Sequence, residues 1–207
     1  MESLEENLEK SYAELEVSEK NQGSIGSYLN FLKLKDQKTY EHSVRTGLLG
    51  VEVAKHASLD EKAMLYAGLL HDVGKILIRT ELLKKTGKFT KKEMKEMEKH
   101  VEYGYKLLSD IHDFSAEIAL RHHKYQKHMY PKKAYKSSVK FSKGTVAKID
   151  THARIFAVID FYDAVTNRDN ERFGKKLSTE EAKQALLSSY PEHKKLIEGL
   201  YSNRILS

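Results

Sequence analysis

The stretch Leu69-Leu70-His71-Asp72-Val73-Gly74-Lys75 ends an apolar run in an adjacent histidine and aspartate and then breaks at a glycine. An imidazole and a carboxylate at the end of a buried helix are costly unless something satisfies them, and a divalent cation would satisfy both at once. Upstream of the pair, residues 60–71 read as one apolar helix (Ala63, Met64, Tyr66, Ala67, Leu69, Leu70), with Ser58 or Asp60 as its cap. Gly74 permits a tight backbone after it, which leaves Lys75 within a few residues of any metal bound there. A single pair proves little, so the other ligands must come from elsewhere in the chain.

Working outward, residues 39–56 are helical in pattern, with Val44, Leu48, Val51 and Val53 apolar and His42 near the start. A short helix or turn at 81–85 stops at Gly87. Thr90 and Glu93 have capping-box spacing and open a helix expected over 91–109, which carries His100 about midway and Gly104 one turn later, where a missing side chain allows close approach. Residues 113–124 form a further helix running into His122-His123. Residues 150–165 are strongly apolar but interrupted by Asp160, a carboxylate that must be paired or bound to metal in that setting. Ser178 and Glu181 form another capping box before a helix to about 188, and Pro191 suits the first turn of a last helix reaching about 201. Towards the N-terminus, residues 1–20 are acidic and helix-prone, Asn21-Gln22-Gly23-Ser24 reads as a break, and a second short helix follows over 24–34. No segment reads as a strand, so the expected fold is all-α: a short N-terminal helical extension over 1–23 and one main domain over 24–207. The extension either packs on its own domain or serves as a docking or dimerising helix, which leaves a homodimer open.

Composition narrows the chemistry. None of the 207 residues is cysteine, which excludes thiolate zinc sites and disulfides; a metal must be held by His, Asp and Glu, and a reducing cytoplasm is the default compartment. No apolar run reaches 18 residues and the first twenty residues carry seven glutamates, so neither a membrane span nor a secretory signal is expected. The net charge of +6 favours an anionic partner. Between residues 118 and 149 there is no acidic residue, while Lys124, Lys127, Lys132, Lys133, Lys136, Lys140, Lys143 and Lys148 fall inside that span. Either something anionic sits near it, or it is a solvated lysine loop.

Taken singly, each buried-looking His or Asp has a satisfied-core explanation. Together, His42, His71, Asp72, His100, His122, His123 and Asp160 each fall within or at the end of an apolar helical segment. Two divalent cations bridged by one carboxylate can take all seven, with water in the open positions. His56, His112, His128, His152 and His193 offer no such setting and are given no role.

The order of these residues resembles the HD-GYP branch of the HD-domain metal-dependent phosphohydrolases over about residues 36–190: His42, His71-Asp72 with Gly74-Lys75, Lys84-x-x-Gly87-x-Phe89-Thr90-x-x-Glu93, His100 with Gly104, His122-His123, and Asp160 with Asp163-Ala164-Val165-Thr166 behind it. The resemblance implies an HD-domain helical bundle holding two metals, with His42, His71 and Asp160 on one, His100, His122 and His123 on the other, and Asp72 bridging. It places Asp72 and Lys75 in catalysis, Lys75 on phosphate. The implied reaction is hydrolysis of a cyclic dinucleotide, cyclic di-GMP or a related one, by a metal-bridged hydroxide. Iron, manganese, nickel and zinc all suit such ligands.

Two departures from the family's pattern stand out. Lys38 replaces a glutamate one helical turn before His42, which disfavours a third metal and makes Lys38 a candidate phosphate contact. After the paired histidines the family has a glutamate and a Gly-Tyr-Pro signature; here the positions read Lys124 and Tyr125-Gln126-Lys127-His128-Met129-Tyr130-Pro131. Lys124, Tyr130, Arg168 and Arg172 are the remaining candidate substrate contacts. Loss of the glycine weakens the substrate assignment, so two alternatives stay open: a catalytically silent nucleotide-binding signalling domain, and an HD-superfamily nuclease or nucleotide phosphohydrolase using the basic loop on a single strand.

Overall fold

The computed structural model describes residues 2–125, 129–131, 139–167 and 175–207. Among these the chain forms α1 (Leu4–Glu14), α2 (Glu19–Lys35), α3 (Gln37–Ala57), α4 (Glu61–Leu70), α5 (Thr80–Leu83), α6 (Lys91–Met97), α7 (His100–Leu108), α8 (Asp113–Arg121), α9 (Lys143–Asn167), α10 (Thr179–Ser189) and α11 (Lys194–Ser202). A 3-10 turn over Val73–Leu77 follows α4, and no β-strand is formed among the described residues. The fold is all-α.

Helices α3 and α4 form the centre. Asp36 caps α3 by accepting from Thr39 N at 2.9 Å, and Asp60 caps α4 by accepting from Ala63 N at 2.8 Å. The two helices cross in backbone contact, since a Cβ on Gly68 would lie 2.2 Å from Gly47 N. One side of the pair packs with α1, α2 and α7 through Leu8, Ile25, Leu29, Leu69 and Leu108; the other packs with α9, α10 and α11 through Met64, Phe156, Leu186 and Leu200. Burying each such side chain contributes about 2 kcal/mol. Helix α4 contributes to both apolar clusters, and His71 and Asp72 follow its C-terminal end, the His71 ring 4.9 Å from that of Phe156.

Three expected boundaries move. The break placed at 21–24 falls earlier: α1 ends at Glu14, Glu16 takes φ 49°, and Ser18 caps α2, which runs through Gly23. One tertiary and one local partner hold those polar residues in helix, Asn21 Nδ2 donating to the Tyr66 hydroxyl and Gln22 Nε2 to the Val17 carbonyl. The helix expected over 91–109 is two helices. It turns at Glu98-Lys99, so that His100 starts α7 with its ring against the Met97 carbonyl at 2.8 Å. Finally, α9 begins at Lys143 rather than near 150, with the Ser142 hydroxyl accepting from Thr145 N at 3.1 Å, so Lys143 and Lys148 belong to a helix and not to a loop.

Candidate metal centre

Five helices bring the seven side chains together. His42 lies in α3; His71 and Asp72 follow α4; His100 opens α7; His122 and His123 follow α8; Asp160 sits inside α9. His42, His71 and Asp160 have ligand atoms within 4.8 Å of one another, and so do His100, His122 and His123. His42 Nε2 is 3.1 Å from Asp160 Oδ1 and 3.2 Å from His71 Nε2. Asp72 lies between the two groups. Its Oδ2 is 3.4 Å from His71 Nε2 and 3.9 Å from His42 Nε2, and its Oδ1 is 3.4 Å from His100 Nε2.

The backbone fixes which ring nitrogens face inward. The Nδ1–H of His71 donates to Gly68 O at 2.8 Å, that of His100 to Met97 O at 2.8 Å, and that of His122 to Ala119 O at 2.7 Å. Each Nε2 is then left with a lone pair pointing into the site. His42 uses a side chain for the same purpose: its Nδ1 is 2.6 Å from Asp163 Oδ2, and Arg45 holds Asp163 with Nε at 2.7 Å and Nη2 at 2.9 Å. A carboxylate behind a ligating imidazole sets its tautomer and strengthens it as a donor.

Electrostatics leave the set short of positive charge. Burial holds the His100 imidazole down to about 3 and pushes His122 well below the ordinary histidine range, so both are neutral lone-pair donors. Burial opposes a charge on His71, but the Asp72 and Asp160 carboxylates with the Gly68 carbonyl together outweigh it and raise the group. Burial alone would raise both carboxyls, yet Lys75 and His71 keep Asp72, and the surrounding His42, His123 and His71 rings keep Asp160, well below the usual carboxylate range. Among the described residues, Asp72 Oδ1, His100 Nε2 and His122 Nε2 are buried without a hydrogen-bond partner. Three orphaned lone-pair atoms, beside two Nε2 atoms facing each other at 3.2 Å, are what a bound cation would satisfy. These residues could hold metal.

Of the expected substrate contacts, Lys75 places its ammonium 2.6 Å from Asp72 Oδ2. Tyr130 stacks on His123, with ring centroids 4.4 Å apart and planes at 27°, and lies edge-on to His100 at 6.0 Å. Lys38 is exposed at the start of α3, and Lys124, also exposed, has its ammonium 5.7 Å from the Tyr125 ring centroid. Arg168 and Arg172, together with Gln126, Lys127 and His128 of the altered signature, lie outside the described residues. Sequence reasoning gave no role to Asp163 or Arg45. The signal was there in spacing: Asp163 follows Asp160 by three residues and Arg45 follows His42 by three, which puts each on its partner's helix face. Of the histidines without a role, His152 is buried against Phe114, its Nδ1 2.7 Å from Lys148 O. It lines a cleft of about 680 Å³ with Tyr66, His112 and Phe114, at the opposite ends of α4 and α8 from the His–Asp pair and the paired histidines.

The HD domain family profile matches residues 39–165. The chain is 32% identical, over 66% of its length, to a cyclic di-GMP phosphodiesterase of Pseudomonas aeruginosa. It is 34% identical, over 79%, to the cyclic di-GMP phosphodiesterase response regulator RpfG of Xanthomonas campestris pv. campestris. It is 28% identical, over 73%, to the 3'3'-cGAMP-specific phosphodiesterase 2 of Vibrio cholerae. The matches cover 32%, 42% and 28% of those proteins, so the chain spans less than half the length of these relatives.

Proposed function

The chain belongs to the HD domain family, in its HD-GYP branch, and from that premise we propose that it is a metal-dependent phosphodiesterase that hydrolyses a cyclic dinucleotide at a centre of two cations. The observation that carries this reading is Asp72, whose two oxygens face different histidine groups and so suit a bridge. His42, His71 and Asp160 would hold one cation and His100, His122 and His123 the other, with iron, manganese, nickel or zinc all compatible. Cations bound there supply Lewis acidity towards phosphoryl oxygens and lower the pKa of water.

The protein's own groups do the rest. Asp163, through His42, and the carbonyls of Gly68, Met97 and Ala119 hold the imidazoles in one orientation before substrate arrives, so little reorganisation is left for the reaction. Lys75 is 14% exposed at its side chain, which lets its ammonium meet a phosphoryl oxygen while still paired with Asp72. Tyr130 covers His123 with a ring on which a base can stack. The lysines of the 118–149 segment add attraction for a dianionic substrate.

The test is hydrolysis of cyclic di-GMP, cyclic di-AMP and 3'3'-cGAMP with Mn²⁺ or Fe²⁺ supplied, alongside metal analysis. Wild type should turn over at least one of the panel, and Asp72→Ala should lose about 10³-fold or more in kcat, on the scale of removing a main electrostatic contributor. Unchanged activity in Asp72→Ala overturns the reading. One observation favours a second reading, a sensor that binds without turnover: Lys124 stands where the family has a glutamate, and the signature glycine is absent. Stoichiometric binding of a panel member with no product over long incubation would select it.

A further inference from the structure

The turn carrying His122 and His123 is bracketed by polar groups that the chemistry above does not use. Just before the pair, Arg121 folds back along α8, pairing with the buried Glu117 carboxylate and donating from Nη1 to the Glu117 carbonyl at 3.1 Å. Its Nε lies 3.5 Å from Asp150 Oδ1 on α9. Just after the pair, Tyr125 donates its hydroxyl to the same Asp150 oxygen at 3.0 Å. Arg154, one turn further along α9, lies over the Tyr125 ring at 4.4 Å. Both ends of the segment 121–125 therefore converge on one carboxylate of the helix that also carries Asp160.

The segment needs such a tie. Helix α8 ends at Arg121, so His122 and His123 lie beyond it in a turn closed by Lys124 N donating to Arg121 O at 2.8 Å. Fixing the backbone of an irregular residue costs about 1–2 kcal/mol, which a turn carrying two ligands must recover from its contacts.

We infer that Asp150 is a positioning residue for the paired histidines: by holding Arg121 and Tyr125 on either side of them, it fixes His122 and His123 relative to His100, Asp72 and Asp160. This rests on the reading that those histidines hold a cation, and its test has a readout that needs neither metal nor substrate.

Asp150 is 40% exposed at its side chain, so Asp150→Ala is compatible with folding, and Tyr125→Phe serves as a near-isosteric second variant. Histidine ring ¹⁵N resonances of the metal-free protein should show His122 in wild type as the Nδ1–H tautomer that its bond to Ala119 O demands. In Asp150→Ala, and to a smaller degree in Tyr125→Phe, the His122 and His123 resonances should move towards averaged values while His71 keeps its own. Co²⁺ titration followed by visible absorption should then show one equivalent weakened about tenfold and the other within twofold of wild type, the low end of what loss of a group behind a ligand produces, since Asp150 reaches the histidines through Arg121 and Tyr125. Unchanged His122 and His123 resonances in both variants overturn the inference, as does a shift that affects His71 equally. A wild type that binds cobalt without hydrolysing any cyclic dinucleotide would sink the proposed activity and leave the positioning role standing.

Discussion

Behind the seven candidate ligands, Asp163 is the residue on which the geometry of His42 depends. Burial alone would raise its carboxyl, but the His42 bond and the Arg45 fork hold it below its ordinary value, so it stays an ionised acceptor. Asp163→Asn keeps the size and removes the charge, which frees Arg45 and allows the ring of His42 to turn. Affinity at the His42–His71–Asp160 group should fall about 10–100-fold, read as metal retained after dialysis, with secondary structure by circular dichroism unchanged. The seven candidate ligands were legible in the sequence because each falls within or at the end of an apolar helical segment, where an unsatisfied polar group costs too much to be incidental. Asp163 was not, since what makes it matter is a histidine 121 positions away and an arginine on a different helix. Its spacing from Asp160 gives its helix face, but contacts of that separation leave no local pattern that names its partners.

Among the elements, close backbone approach sets the frame. A Cβ on Gly74 would lie 1.9 Å from His100 O and 2.4 Å from Gly104 N, backbone atoms that cannot yield without moving the start of α7. Gly74→Ala should therefore cost about 3 kcal/mol by urea unfolding, the upper part of the range for overpacking. Gly26→Ala, inside α2 with nothing near its Cβ position, should instead stabilise by about 0.5–1 kcal/mol. Equal effects at the two positions would contradict this account. Helix starts were well marked in the sequence: Asp60, the Thr90–Glu93 box and the Ser178–Glu181 box all form as caps, because capping is a contact between residues three apart. The break at Glu98-Lys99 was hidden. It arises where the His100 ring takes the Met97 carbonyl and Gly74 presses on the His100 backbone, and neither belongs to the local 3.6-residue pattern.

Across the whole molecule, side chains from position 42 to position 160 close on one point between the two apolar clusters, so a cation there ties together segments far apart in sequence. Mn²⁺ at about a hundred times its dissociation constant should add about 2.7 kcal/mol to stability. For a chain of this size that is a rise in Tm of roughly 5–10 °C. EDTA should reverse it, and Asp72→Ala should show less than half the rise; a Tm indifferent to metal in wild type would count against a cation in this core. None of the helices in the described residues is long and apolar enough to cross a membrane. Lys75 adds something further. Its ammonium, 2.6 Å from Asp72, gives that carboxylate a positive neighbour supplied by the chain itself, so the frame is held before any guest arrives. The protein should therefore keep its helical circular dichroism in a chelating buffer and accept a cation afterwards: a vessel to be filled, not a casting poured around its metal.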